Sequence, residues 1–244
     1  MLDKNSFQYK AKKFVGIIVI RITERLLSLF DNRVWMGKEG YPFAQLLEAN
    51  AQAIKEEFLG VQSRISNIEK LFPESSVNAK DDNWKTFFLI AYGHDLIEHL
   101  DACPVTAASL AQIPNATSAL FSVLEPHRQI PLHRGEYKGM LRCHLGLVIP
   151  DVEKCYIVVN DEKRHWAEGE CLFFDDTFPH YAANESDQRR VVLFIDILRK
   201  YPFPFNHLNQ FIFKQISKSE FIHEVLVRSR HLDGVQSRPR KLDI

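Results

Sequence analysis

From Ala119 onward the chain runs in short stretches of Val, Ile, Leu and Phe that alternate with polar residues and close on Gly, Pro or Asn clusters. That texture predicts β-strands over 118–124, 140–149, 154–160, 169–174 and 190–198. Several short strands joined by turns, with no helices between them, imply an antiparallel jelly roll and not a parallel sheet. Upstream the period changes. Residues 41–115 read mostly as helix, with Phe43, Leu46, Leu47, Ile54, Phe58 and Leu59 spaced for an apolar stripe and Pro104 and Pro114 as punctuation. After Lys200, Pro202 and Pro204 break the sheet, and 211–228 reads as one helix leading to a basic tail at 238–241. The expected fold is an all-β core with flanking helices (α+β), of the jelly-roll type. Three parts are expected: an apolar and amphipathic helical segment over 1–40, a main domain over 41–200, and a helical extension with its basic tail over 201–244.

The first part needs a separate reading. Residues 14–20 form an almost unbroken apolar run behind Lys10, Lys12 and Lys13, but Arg21, Glu24 and Arg25 interrupt it well short of the roughly 20 residues a membrane span needs. No Ala-x-Ala step follows, as a secretory leader would require, and 22–30 continue as an amphipathic helix. Two readings stay open: a helix packed on the domain, or an interfacial helix on the cytoplasmic leaflet of a membrane, which would park the site beside lipid.

At 244 residues the chain suits a single core with terminal additions, and its 31 basic and 31 acidic residues cancel. That balance removes the electrostatic footprint of nucleic-acid binding, so no nucleic-acid partner is expected. Cys103, Cys143, Cys155 and Cys171 lack metal-binding or disulfide-framework spacing, which fits a reducing cytoplasm.

Within the predicted strand at 140–149, Leu141, Cys143, Leu145, Leu147 and Ile149 face one way and Arg142, His144, Gly146 and Val148 the other. The first face must be core, so Arg142 and His144 line the interior of the roll, where they are costly unless they meet an anion or each other. A carboxylate-bearing guest is the expected answer. The strand at 190–198 repeats the pattern, with Arg190, Val192, Phe194 and Asp196 on one side. His133 and His180, with Arg190 ten positions after the second, supply the kit that holds Fe(II) beside a dicarboxylate. Neutral imidazole suits ferrous ion, and a planar guanidinium fixes a carboxylate through two bonds where Lys offers a point charge. Asp175 or Asp176 is expected to accept a bond from the outer nitrogen of a metal-bound His, though turn capping serves these two equally well. No role is assigned to His94, His99, His165, His207 or His223, and Trp166 and Gly169 read as a core aromatic and a turn.

Four stretches in order, NWKTFFLIAYG at 83–93, HRGEYKGMLRCHLGLVIP at 133–150, WAEGECLFFDDTFPH at 166–180 and RRVVLFID at 189–196, resemble the aspartyl/asparaginyl β-hydroxylase family, whose bacterial members are similar to lipid A acyl-chain hydroxylases. The resemblance implies an Fe(II)- and 2-oxoglutarate-dependent dioxygenase on a cupin-like double-stranded β-helix, a hydroxylase that consumes O2 and releases succinate and CO2. It implies His133 and His180 as the iron ligands and Arg190 as anchor of the distal carboxylate of 2-oxoglutarate, with Ser122 as a helper hydroxyl. Arg142 and His144 fall where the family contacts the carboxylate nearer the iron. Gly135 departs from the usual triad, in which a carboxylate stands two positions after the first His. The animal aspartyl hydroxylases share that glycine, so an open position filled by water is implied; Glu136 could reach it only through a distorted turn. Met140 stands where the animal enzymes resemble one another in having a substrate-binding Arg, which favours a lipid acyl chain over an Asp or Asn residue of a protein as substrate. The reading from a different class is a jelly-roll module that binds a small carboxylate without catalysis.

Overall fold

The structure, a computed structural model, describes residues 7–67, 84–135 and 137–242, with side chains from residue 18 onward apart from those of 66, 67, 232 and 233. In chain order come α1 (Phe7–Ser28), β1 (Trp35–Met36), α2 (Phe43–Ala49), α3 (Ala51–Val61) and β2 (Ser66–Asn67). Next are β3 (Trp84–Ala91), β4 (His94–Leu96), α4 (Ile97–Asp101) and α5 (Pro104–Ala111). The roll follows as β5 (Ala116–Leu124), β6 (Arg128–His133), β7 (Met140–Val148), β8 (Cys155–Val159), β9 (Glu162–His165), β10 (Cys171–Phe174), β11 (His180–Asn184) and β12 (Arg190–Leu198). Helices α6 (Phe205–Ser217) and α7 (Glu220–Asp233) and strand β13 (Ser237–Pro239) end it.

Two sheets carry the fold. The larger, 9-stranded sheet runs β1-β10-β7-β12-β5-β3-β4-β13 with β2 beside β3, and the 4-stranded sheet runs β6-β11-β8-β9. Every ladder between these strands is antiparallel, as a jelly roll requires. Side-chain alternation then decides what each face does. Leu141, Cys143, Leu145 and Leu147 of β7 and Val191, Leu193 and Ile195 of β12 enter a core closed from outside by the helices. In α3, Ala51, Ile54, Phe58 and Val61 fall three or four residues apart, so one stripe of that helix meets the sheet. The opposite face looks into the roll, where Trp35, Ile130, Ile157, Val159, Trp166 and Phe174 form a second core between the sheets. Asn184 joins the two sheets at the rim: its side-chain amide donates to the carbonyls of Leu124 at 3.0 Å, Glu125 at 3.1 Å and Gln188 at 2.8 Å, while its oxygen accepts from Ser186 Oγ at 2.6 Å.

Several expectations are corrected. Residues 84–96 are not helical but form β3 and β4: β3 lies inside the large sheet, and its apolar run 87–91 carries no period that separates buried strand from helix. The segment 211–228 is two helices, because Ser219 caps α7 by accepting from the Ile222 amide. The basic tail is tied to the large sheet, where Arg238 and Arg240 both pair with Asp95 of β4. No helix among the described residues is long and apolar enough to cross a membrane.

Candidate active site

Strand register brings the two imidazoles together. Strand β6 ends on His133 and β11 begins on His180, and the antiparallel pairing sets these residues opposite each other. Their ring centroids lie 4.1 Å apart with the planes at 53°. Each ring donates from Nδ1 to the carbonyl two residues before it, His133 to Pro131 at 2.8 Å and His180 to Phe178 at 2.9 Å. Those bonds fix the tautomer and leave both Nε2 lone pairs available. Burial holds both imidazoles below their ordinary pKa, with Arg142 adding to the effect, and His180, which also faces His133, is brought down to about 3. Both rings are therefore neutral at pH 7, the form that binds metal.

Arg190 opens β12 and is only 1% exposed. Its Nε has no partner, its Nη1 reaches only the Ser122 carbonyl at a long 3.5 Å, and its guanidinium lies 4.6 Å from the centre of the Trp166 ring. Among the described residues no carboxylate pairs with it. Burial pulls its pKa down to about 10, so it stays cationic at pH 7. A buried cation without a counter-charge costs several kcal/mol, which an incoming anion offsets.

Two further groups face the same interior. Ser122 pairs in register with Val192 and accepts from the Trp84 indole at 3.0 Å, so its hydroxyl hydrogen can still be donated. His144, on β7 beside β12, has both ring nitrogens buried and unpartnered amid Trp166, Phe174 and Phe194. Burial, then Arg142, Arg190 and His180, hold it neutral, well below an ordinary imidazole.

Arg142 behaves differently from the expectation that it meets a guest's carboxylate. Asp196 grips it through two bonds of 2.9 and 3.1 Å, and Asp176 closes on it at 2.8 Å. Burial opposes its charge, but these two carboxylates outweigh burial and hold its pKa above the usual arginine range. The carboxylates of Asp175 and Asp176 bond neither histidine; backbone carbonyls orient the rings, that of Pro131 for His133 and those of Phe178 and Asp176 for His180. Asp175 instead takes Lys138 at 2.7 Å, Arg199 at 3.0 Å and the Thr177 hydroxyl at 2.6 Å, bracing the turn before His180.

Asp176 explains the glycine two positions after His133. A Cβ built on Gly135 would overlap the Asp176 carboxylate, and the Gly135 amide donates to the Asp176 carbonyl at 2.7 Å. The slot of a third ligand from position 135 is already filled. Glu136 lies outside the described residues, and among those described no group of three or more His, Cys, Asp or Glu converges on a metal position. Two neutral imidazoles with free lone pairs fit ferrous ion with open positions. Arg190, Ser122 and the unpartnered nitrogens of His144 fit a carboxylate-bearing co-substrate. Sequence reasoning missed Trp166, which stacks on Arg190 as well as filling the core; nothing in the sequence marks it out from other buried aromatics.

Comparison with known proteins points to the same region. Residues 48–200 match the family model described as aspartyl/asparaginyl beta-hydroxylase. Over 190 residues the chain is 37% identical to an ornithine lipid ester-linked acyl 2-hydroxylase of Rhizobium tropici, covering 76% of this chain and 68% of that protein. It is 35% identical over 164 residues to aspartate beta-hydroxylase domain-containing protein 2 of Xenopus tropicalis, covering 63% of this chain and 43% of the relative. It is 30% identical over 170 residues to human aspartyl/asparaginyl beta-hydroxylase, covering 67% and 22%. The chain thus spans about two thirds of the rhizobial relative and less than half of these two animal ones.

Proposed function

The chain belongs to the aspartyl/asparaginyl β-hydroxylase family, and from that membership we propose that it is an Fe(II)- and 2-oxoglutarate-dependent dioxygenase that hydroxylates an unactivated C–H bond. The observation that carries this reading is Arg190, buried with no counter-charge among the described residues, in the interior that also receives two neutral imidazoles.

In this reading His133 and His180 hold ferrous ion through their Nε2 atoms. Arg190 fixes the distal carboxylate of 2-oxoglutarate and Ser122 donates its hydroxyl hydrogen to the same group. His144 donates a ring N–H to the carboxylate nearer the metal. Arg142 would be a positioning residue that holds Asp176 in the slot beside Gly135, so that position 135 would supply no ligand. When bound, the iron with O2 supplies the oxidising power that couples 2-oxoglutarate and a C–H bond to succinate, CO2 and an alcohol. Trp166, Phe174 and Phe194 wall the interior against water, which strengthens every charge contact inside it.

The substrate we favour is the acyl chain of a membrane lipid, in a cytoplasmic protein working at the membrane. The rhizobial relative is named for an acyl 2-hydroxylase, and Met140 offers no charge to an acidic side chain. The second reading, an Asp or Asn residue of a protein, is favoured by the names of the animal relatives. Succinate formation from 2-oxoglutarate with added Fe(II), in the wild type and in His180→Ala, tests the chemistry. Iron-dependent turnover that His180→Ala abolishes is expected; no turnover after anaerobic loading and admission of air would leave a non-catalytic carboxylate-binding module. A gain of one oxygen in extracted lipid, or in a protein, decides the substrate.

A further inference from the structure

Helix α1 is inverted relative to a helix packed on a core. Over its described side chains Thr23, Glu24 and Leu27 are buried, whereas Ile18, Val19, Ile22 and Leu26 are 36–54% exposed. Ile18, Ile22 and Leu26 recur every four residues and so form one stripe along the outward face. Leu29, 81% exposed, and Phe30 continue the stripe past the helix end. Phe30 also packs on Phe205 at 4.7 Å, in the segment where Phe203 is 82% exposed. A helix covering a core would turn these apolar residues in and Glu24 out.

Charge narrows the choice of occupant. The sequence of α1 carries Lys10, Lys12, Lys13, Arg21 and Arg25 against Glu24 alone, and Glu24 bonds Arg21 at 3.0 Å. The whole chain, by contrast, is balanced. A second copy of the chain would set two such cationic helices against each other, whereas an anionic lipid surface attracts both the charge and the apolar stripe. Position adds a third argument. A cavity of about 180 Å³ is walled on one side by Glu24, Arg25 and Ser28 and on the other by Arg134 and Phe178, which flank His133 and His180 in sequence. The helix therefore packs beside the segments that lead into the two histidines.

We propose that α1 is an interfacial anchor that lies on an anionic bilayer, with Ile18, Ile22, Leu26 and Leu29 among the acyl chains and the basic residues against lipid headgroups. Docked in this way, the segments that lead into the two histidines lie close to the lipid surface. That the docked site then oxidises an acyl chain rests on the function proposed above; the docking itself does not.

The test is co-sedimentation of the full chain with vesicles of phosphatidylcholine alone or mixed with phosphatidylglycerol. Binding to the mixed vesicles is expected, weakening as salt screens the charge, and falling roughly tenfold or more in Ile22→Asp/Leu26→Asp and in Lys12→Glu/Lys13→Glu. Circular dichroism and iron-dependent succinate release check that these surface variants stay folded. Wild-type protein that ignores both vesicle types, or variants that bind as well as wild type, would overturn the anchor. So would a concentration-dependent dimer that the same substitutions dissolve, since the face would then belong to a second copy. Succinate release without vesicle binding removes the anchor and spares the chemistry; vesicle binding without succinate release does the reverse.

Discussion

Gly135→Ala tests the geometry around the first histidine with a single methyl group. The added Cβ would fall on the Asp176 carboxylate, and even the farther oxygen, Oδ1, would sit 2.5 Å from it, about 1 Å inside an ordinary contact of roughly 3.5 Å. Relief by backbone movement is restricted, because the Gly135 amide and Asp176 carbonyl are bonded at 2.7 Å. Relief by side-chain movement pulls Asp176 from Arg142, its partner at 2.8 Å. Overpacking costs about 1–3 kcal/mol, and Arg142 keeps its two bonds to Asp196, so we expect a total of about 2–3 kcal/mol. For a chain of this size that lowers Tm by roughly 4–12 °C, read by calorimetry and denaturant titration. Asp176→Ala removes the clashing atoms, so Gly135→Ala added to it should cost less than about 0.5 kcal/mol, and the double-mutant cycle should return nearly the whole penalty as coupling. A Gly135→Ala protein as stable as wild type, or one whose penalty is the same with and without Asp176, would refute the filled slot.

Other consequences are independent of that cycle. Arg190→Met should leave the ligand-free protein as stable as wild type or more stable by about 1–4 kcal/mol, because it removes a buried charge that no carboxylate among the described residues pairs with; a Tm drop of several degrees would mean the charge is paired after all. Asn184→Ala strands three carbonyls between the sheets and should cost about 3–5 kcal/mol in denaturant titration, and a loss under about 1 kcal/mol would show the clasp to be dispensable. His180 has a folded pKa near 3 against about 6.5 unfolded, so the unfolded chain binds more protons between those values. Stability of the metal-free protein is thus full above about pH 6.5 and lost as pH falls toward 3. His133 and His144, also held low by burial, act in the same direction, while Asp176, raised by burial to about 6, acts against them. Calorimetry between pH 7.5 and 5 should show a falling Tm, and a flat or rising profile would contradict neutral buried imidazoles.

The parts of this molecule legible in its sequence are those where one face is buried and the other is not. Alternation in 140–147 and 190–198 separated the leucines and Val191 under the helices from Arg142, His144 and Arg190 inside the roll. It reverses at the irregularity between β7 and β12, so Val148 packs on the helix side and Ile149 between the sheets. Spacing and residue type singled out His133 and His180, which register sets side by side. Strands without that contrast were hidden: β3 is buried on both faces, β9 is almost wholly exposed, and β11 carries no Val, Ile, Leu or Phe. Partners distant along the chain were hidden too. Nothing local says that Asp176 fills the space beside Gly135, or that Asp196 and Asp176 take the charge of Arg142 that the sequence offered to a guest. Those contacts arise only when β6, β7, β11 and β12 close around one interior.

The central claim is that two imidazoles and one buried guanidinium serve a single pocket for metal and co-substrate. Anaerobic calorimetric titration of 2-oxoglutarate into protein with and without Fe(II) tests it most directly, in the wild type, His180→Ala and Arg190→Met. The account predicts iron-dependent 2-oxoglutarate binding in the wild type. His180→Ala should lose it with loss of iron uptake, and Arg190→Met should lose it with iron uptake intact. Equal binding of 2-oxoglutarate by all three proteins, or no ferrous ion bound by the wild type, would contradict it.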